Sequence, residues 1–460
     1  MMSEFITVQV GQCGNQIGSA FWPLALQEHG IATSKPVSQQ QRSRYNDAFH
    51  SFFSSPSDTS GASYKSLHDL ENAKVKARAV LIDMEDSVVA RFRNGPLRKL
   101  FDETLLLTNY PGSGNNWAEG HHAHGSEYAS GIVDVVRRAA ERSDHLHGFL
   151  LMFSVGGGTG SGLGTATLKL LADYFPEVDR FVTCVYPSGH EDVVTAPYNV
   201  MLATNVLLEY ATCVLPADNK SLLDICAYLQ NRKESAESAK AVAAASPYED
   251  MNSIIVNMLL NFTSGSRFPG SLNVDMSEIS TNMVPFPKLN FLSCGLTPLG
   301  FSSSHILQVP KQVEPWARDH QLLKIDPLAG TLLSATLLSR GSVTLSDMRY
   351  NVSRLQARGR FTPWNQDAIK VGLCSVPPNG HPAAHLSLLN STSLGGFFSH
   401  IGGQFDRMYR RKAHIHHYLQ IDGFSNSEFL DSRQSLYDTI GHYQQLANSQ
   451  DAALDRLQVM

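Results

Sequence analysis

The sequence predicts an α/β protein whose N-terminal part is a doubly wound parallel sheet, and three observations carry that prediction. An apolar run, Phe149-Leu150-Leu151-Met152-Phe153, feeds the loop Ser154-Val155-Gly156-Gly157-Gly158-Thr159-Gly160-Ser161-Gly162. A helical pattern through Leu163, Thr167, Leu170, Leu171 and Tyr174 follows it. The N-terminus repeats the arrangement: Phe5-Ile6-Thr7-Val8-Gln9-Val10 reads as a strand. Gly11-Gln12-Cys13-Gly14-Asn15-Gln16 then enters a helix with Ile17, Ala20, Phe21 and Leu24 on one face. Finally, strand patterns at 5–10, 77–83, 148–155 and 180–186 alternate with helical ones. Right-handed crossovers between parallel strands wind helices onto both faces of such a sheet.

The remaining elements follow in order. The first domain spans 1–230, interrupted at about 31–66 by Ser, Gln, Gly and Pro that read as a long, mobile surface loop. Residues 231–272 combine an Ala/Ser/Lys/Glu-rich stretch, helical or irregular, with a core helix that links the domains. Strand signals return at 291–296, 331–338 and 369–376, giving a second α/β domain over 273–398. A helical region occupies 399–460, with its clearest pattern from Gln404. There Phe429, Leu436, Ile440 and Tyr443 form an apolar stripe suited to packing.

Composition narrows the function. A chain of 460 residues with a net charge of −5 has no electrostatic footprint for nucleic acid. Its six cysteines form no C-x-x-C pair, which fits reduced thiols of the cytosol. Neither a signal-type apolar core nor a run of ~20 apolar residues is present, so the expectation is a cytoplasmic protein without a membrane partner.

Both strand–glycine–helix junctions suit an anion. Closely spaced backbone N–H groups and the positive end of a helix dipole converge there. Two familiar phosphate motifs fail. A Gly-x-Gly-x-x-Gly register would place its last position on Ser161, Leu163 or Thr165, and no Lys follows the glycines as in a Walker A loop. A cradle without its own lysine relies on amides and a metal. The failed register also argues against a dinucleotide-dependent metabolic enzyme, whereas a glycine-rich structural turn remains open on this evidence alone.

GQCGNQIG and GGGTGSG together resemble the tubulin family, and the likeness runs along nearly the whole chain. Gly114-Asn115-Asn116-Trp117-Ala118, Pro197-Tyr198-Asn199, Asp218-Asn219 and Asp224-Ile225-Cys226 follow in the family's order. So do Arg267-Phe268-Pro269-Gly270-Ser271-Leu272-Asn273, Asn282-Met283-Val284-Pro285-Phe286-Pro287, and Arg410-Arg411-Lys412-Ala413 with His417-Tyr418. The resemblance implies a Rossmann-like GTPase domain, an intermediate domain and a C-terminal helical hairpin, with GTP or GDP and Mg²⁺ as cofactors. It places Gly11, Gln12, Cys13 and Gln16 at the diphosphate and base, and Asn115 in a third loop. Ser154, Gly157, Gly158, Thr159 and Gly160 would hold the phosphates, and Asp83 and Glu85 the Mg²⁺, a hard cation that takes carboxylates and water. Asn219 and Asn252 would read guanine, and Tyr248 would stack on it.

Two departures refine the expectation. The loop at 187–196 is one residue shorter than in α- or β-tubulin and has Ala196 before Pro197 where those have a ribose-contacting Glu, so Asp192 is the candidate substitute. Residues 431–460 contain four Asp and two Arg in place of a glutamate-rich tail. Poor recruitment of tail-dependent motors and modifying enzymes is therefore expected. With the two inserts and Ala413-His414-Ile415-His416-His417-Tyr418, these features resemble the ε type, associated with centrosomes, centrioles and basal bodies. Its implied partners are other tubulins, possibly δ-tubulin, and centriolar proteins. His121, His122 and His124 read as surface residues rather than zinc ligands, and His414, His416 and His417 as pointing to different helix faces. Asp275 and Glu278 resemble the segment in which α-tubulin presents a catalytic Glu to its neighbour's nucleotide. Placed i and i+3 on one helix, both would face that interface; a solvated acidic face or a helix N-terminal charge pair is the alternative.

Overall fold

The computed structural model describes residues 3–31, 46–55, 64–189, 191–236, 247–299, 314–365 and 368–448. Its first sheet is built from β1 (Glu4–Val10), β2 (Ala79–Asp83), β3 (Leu106–Thr108), β4 (Leu146–Ser154), β5 (Asp179–Tyr186) and β6 (Cys213–Asp218). All pairings are parallel and the spatial order is β3-β2-β1-β4-β5-β6. Alternation within each strand decides the two cores, because successive side chains leave opposite faces. Phe5, Leu81, Leu150, Met152 and Leu215 bury against one set of helices, while Ile6, Val8, Ile82, Leu151, Phe153 and Val182 bury against the other.

On the first face lie α1 (Gly11–Glu28) and α2 (Asp86–Asn94). The second face is covered by α3 (Ala129–Ala140), α4 (Gly164–Tyr174) and α5 (Ala196–Tyr210). After β6 come α6 (Asn219–Ala236) and α7 (Pro247–Phe262), and α7 packs on both α1 and α6. Within the stretch 231–247, residues 231–236 extend α6, Pro247 begins α7, and 237–246 lie outside the described residues.

A second sheet follows from β7 (Gly270–Leu272), β8 (Ser293–Thr297), β9 (Thr331–Gly341), β10 (Lys370–Cys374) and β11 (Ala383–Ser391), with α8 (Met276–Met283) and α9 (Leu345–Arg358) between them. Its order is β8-β11-β9-β10-β7, parallel only at β9–β10 among these pairs. The sequence patterns found three of these strands and missed β7 and β11. All nine residues of β11 are buried, but His385, Ser387, Asn390 and Ser391 break up its apolar run, so no strand pattern stands out there. Helices α10 (Leu394–Tyr409), α11 (Ile415–Leu419) and α12 (Asn426–Asn448) close the second core, with Phe429, Leu436, Ile440 and Tyr443 buried. The helical region starts ten residues before the Gln404 where its pattern was clearest.

One expectation fails inside the N-terminal insert. Residues 46–49 form a helical turn and 53–54 pair with 76–77, while Phe49, Phe52 and Phe53 are buried around Trp22 and His29. Three aromatics outweigh the polar composition of their surroundings, so this part belongs to the core. Residues 32–45 and 56–63 lie outside the described set.

Candidate functional site

Topology fixes where a ligand goes. The connection from β1 runs to β2 on one side and the chain later returns to β4 on the other, so the switch point lies between the carboxyl ends of β1 and β4. Ligands of open parallel sheets bind in that crevice. Gly11, in the left-handed region at φ +70°, turns β1 straight into α1, and a Cβ there would stand 3.0 Å from Gly160. Gly14 lets α1 settle on β4, since a Cβ would meet the Met152 carbonyl at 2.0 Å. Buried Asn15 then ties the first loop to β2, donating to the Gly11 carbonyl at 3.0 Å and the Ile82 carbonyl at 3.3 Å.

After β4 the chain makes a π-type turn at Thr159–Leu163 that runs into α4. The glycines of this loop divide by what they face. A Cβ on Gly158 would lie 2.8 Å from the Asn116 nitrogen and the Ser113 carbonyl. On Gly160 it would lie 2.9 Å from Ser154, and on Gly162 2.4 Å from the Trp117 carbonyl. These three interlock with other protein backbone. Gly157 differs, its nearest neighbour being Asn115 Oδ1 at 3.8 Å, and Gly114 meets nothing within 4 Å. The open side of the cradle is therefore at Gly157 and Gly114.

A hydroxyl chain braces it. Ser113 Oγ lies 3.1 Å from Thr159 Oγ1 and 3.0 Å from His124 Nδ1. The Ser161 hydroxyl donates back to the Gly157 carbonyl, and Thr165 Oγ1 to the Ser161 carbonyl at 2.6 Å. Asn199, fully buried, is the hub: its Nδ2 donates to the Asn115 and Gly156 carbonyls, both at 2.9 Å. Its Oδ1 accepts from the Trp117 N–H at 2.9 Å and from Tyr418 Oη at 2.5 Å. Asn115 itself is exposed at φ +57°.

The three neighbouring histidines are supports rather than surface residues, contrary to the sequence reading. His121 stacks on Trp117 at 4.2 Å, and burial pushes its pKa down to about 3. His122 Nε2 sits 2.9 Å from Glu428, and His124 is buried on Ser113. The polar composition of 119–124 hid the ring contacts that bury His124 and half-bury His121 and His122. His414, His416 and His417 also differ from expectation. His414 precedes α11 at φ +60°, and the His416 and His417 rings are 3.9 Å apart. Among the described residues no cluster of three or more His, Cys, Asp or Glu could hold a metal ion.

Two carboxylates close the crevice at β2. Asp83 is 2% exposed, and its Oδ2 has no hydrogen-bond partner among the described residues. Burial, reinforced by the Glu85 carboxylate, raises its pKa to about 7. Glu85, exposed, abuts the third loop: a Cβ on Gly112 would be 3.0 Å from its Oε1. A buried, unpaired carboxylate oxygen beside a second carboxylate is a donor set that suits a hard cation.

At the far end, Asn219 opens α6, and Glu191 Oε1 accepts from its Nδ2 at 3.1 Å. Asp192, the candidate for the ribose-side contact, is exposed; the carboxylate against Asn219 belongs to Glu191, which sequence reasoning did not single out. Gln12 is exposed, and Cys13 and Gln16 are half-buried along the first turns of α1. Tyr248, 60% exposed, and half-buried Asn252 lie one turn apart on α7.

Asp275 and Glu278 sit elsewhere. Asp275 is the N-cap of α8, with extended backbone, and its Oδ1 accepts from the Ser277 and Glu278 N–H groups at 2.6 and 3.2 Å. It therefore does not share a helical face with Glu278, because capping takes it outside the helix. Glu278 Oε2 pairs with Lys370 Nζ at 2.6 Å. Two anchor points of the α8 N-terminus, His147 and Asp179, lie at the amino ends of β4 and β5, opposite the crevice.

Geometry of this kind gives an α/β protein a glycine-built cradle suited to an anion at the switch point of its parallel sheet, without a cradle lysine. Residues 4–227 match the Tubulin/FtsZ family GTPase domain and 287–402 the tubulin C-terminal domain. The chain is 44% identical to the tubulin epsilon chains of Mus musculus and of Homo sapiens, over 97% of its length and 96% of each of theirs. It is 33% identical to a tubulin beta chain of Aspergillus fumigatus, over 96% of its length and 95% of that relative. The chain belongs to the tubulin family, and its match to the GTPase domain implies guanine-nucleotide binding. Among the described residues no helix is long and apolar enough to cross a membrane.

Proposed function

We propose that the chain is an ε-type tubulin that binds GTP or GDP with Mg²⁺ and joins other tubulins head to tail. In this reading it acts at centrosomes, centrioles and basal bodies, in the cytoplasmic cytoskeleton, with other tubulins, δ-tubulin included, and centriolar proteins as partners. The 44% identity to tubulin epsilon chains supports the type.

Polarity carries the head-to-tail reading. The crevice lies at the carboxyl ends of the sheet and Glu278 beyond its amino ends, separated by the nine residues of β4. At about 3.3 Å per residue that is roughly 30 Å, so Glu278 serves only the nucleotide of a second subunit. Such an arrangement is heterologous and open-ended.

Within the crevice, Gly11, Gln12, Cys13 and Gln16 meet the diphosphate and base, and Ser154, Gly157, Gly158, Thr159 and Gly160 surround the phosphates. Asn115 closes the cradle from the third loop, and Asn219, Tyr248 and Asn252 take the base. Asp83 and Glu85 would hold the Mg²⁺, which supplies charge neutralisation for the phosphate oxygens. Glu278 would orient or deprotonate the attacking water, with Asp275 fixing the helix that bears it.

Two measurements test this. Nucleotide extracted from purified protein should be guanine nucleotide at about one per chain. In a verified complex with a second tubulin, Glu278→Ala should leave nucleotide content intact and slow hydrolysis at the junction. An unchanged rate with the complex still formed would point to a nucleotide held without turnover by this residue.

A further inference from the structure

An unexpected carboxylate next to Asn219 gives that amide a fixed direction. Glu191 Oε1 accepts from the Ser188 N–H at 2.5 Å, from Ser188 Oγ at 2.9 Å and from Asn219 Nδ2 at 3.1 Å, while Oε2 accepts from the Gly189 N–H at 2.8 Å. Burial alone would raise its pKa, but the hydrogen bonds from Ser188 and Asn219 outweigh it and hold the carboxyl below the usual range. The group is thus ionised near neutrality and anchored by loop backbone.

An ionised carboxylate only accepts hydrogen bonds. The nitrogen of the Asn219 amide must therefore face Glu191, which turns its oxygen the other way. That oxygen takes no hydrogen bond among the described residues, so a ligand meets an acceptor. Guanine offers donors, N1–H and the 2-amino group, to such an acceptor, whereas adenine presents a lone pair at N1. We propose that Glu191 is a positioning residue for base selectivity: it locks the Asn219 amide oxygen-outward so that the site takes guanine and refuses adenine. This inference rests on the guanine-nucleotide reading above.

The experiment is competition binding of GTP, ITP and ATP to the full chain, for wild type, Glu191→Gln, Asn219→Ala and the double variant. Glutamine keeps the shape but can also donate, so it releases the amide to rotate. Loss of one oriented hydrogen bond should lower the GTP-to-ATP preference about tenfold. The GTP-to-ITP preference should shrink too, because ITP lacks the 2-amino donor. In the Asn219→Ala background, Glu191→Gln should change neither ratio. A residue that merely folded the loop would weaken all three nucleotides together and act equally in both backgrounds. An unchanged GTP-to-ATP ratio in Glu191→Gln overturns the inference while leaving guanine binding intact. A wild-type protein that does not prefer GTP to ATP overturns the guanine reading itself.

Discussion

Glu278 and Lys370 bridge α8 and β10 through a 2.6 Å ion pair at the edge of the molecule opposite the nucleotide crevice. Both side chains are substantially exposed, so the pair contributes at most about 1 kcal/mol. Its interest is directional: the carboxylate proposed to act on a neighbouring subunit's nucleotide is held by a cation of its own chain. Lys370→Met should change junction hydrolysis by no more than a few-fold, whereas Glu278→Ala should lower it by about a hundredfold or more. Steady-state phosphate release from the verified complex distinguishes them. A Lys370→Met loss as deep as that of Glu278→Ala would mean that the lysine itself takes part.

The two kinds of glycine in the 154–162 loop predict two phenotypes. Gly157 faces open space, so Gly157→Val should leave the fold intact and empty the site of nucleotide. Gly158 faces the backbone of 113–116, so even Gly158→Ala should lower thermal stability before any effect on a ligand is read. Nucleotide content by chromatography, with a melting curve for each variant, checks both. Full nucleotide occupancy in a folded Gly157→Val protein would misplace the cradle.

Asp83 is costly as long as nothing meets its buried oxygen. Asp83→Asn should raise the melting temperature of nucleotide-free protein, since it removes a buried charge without changing shape. The same variant should lose the dependence of nucleotide affinity on Mg²⁺. Titrating Mg²⁺ at fixed GTP would show this, and an undiminished dependence would remove Asp83 from the metal site.

Glu28 is shared by Arg267 and Arg340 at 2.6 and 2.7 Å, all three at most 1% exposed in their side chains. It joins the end of α1 to the second sheet. Glu28→Gln leaves two buried guanidinium groups without a counter-charge and should cost about 3–5 kcal/mol. Chemical denaturation measures it, and a loss under about 1 kcal/mol would show that the backbone carbonyls around the two arginines suffice.

Acid should destabilise the protein well above the carboxylate range. Burial lowers the pKa of His29 and His121 to about 3 and of His385 to about 4. The unfolded chain therefore binds more protons than the folded one between those values and about 6.5, and stability falls as pH drops through that window. At pH 5 each contributes a loss of about 2 kcal/mol relative to pH 7. Melting temperatures from pH 7 to pH 5 should show the decline, shallower in His385→Asn. A flat profile would mean that these rings are protonated in the fold.

Periodicity and glycine placement were enough to locate β1, β2, β4 and β5 and both junctions, because those signals are local. Each of those strands is a short, largely apolar run that stops at turn residues, although both of its faces are buried, and a helix N-terminus set against a phosphate needs glycine. The sequence also identified the residue types that suit a cation, since Asp83 and Glu85 follow directly on a strand. What it could not determine depends on long-range packing. Phe49, Phe52 and Phe53 enter the core although their surroundings read as loop, and β11 is concealed by the polar His385, Ser387, Asn390 and Ser391 that tertiary packing buries. Asn199 becomes the hub of the cradle only when α5 is laid against two loops 43 and 84 residues away. Glu191, which no motif singled out, comes to lie beside Asn219, and Asp275 leaves the helical face to cap it. Each of these was decided by tertiary structure, because a carboxylate or amide takes its role from the donor that folding brings within about 3 Å, and sequence spacing does not specify that donor.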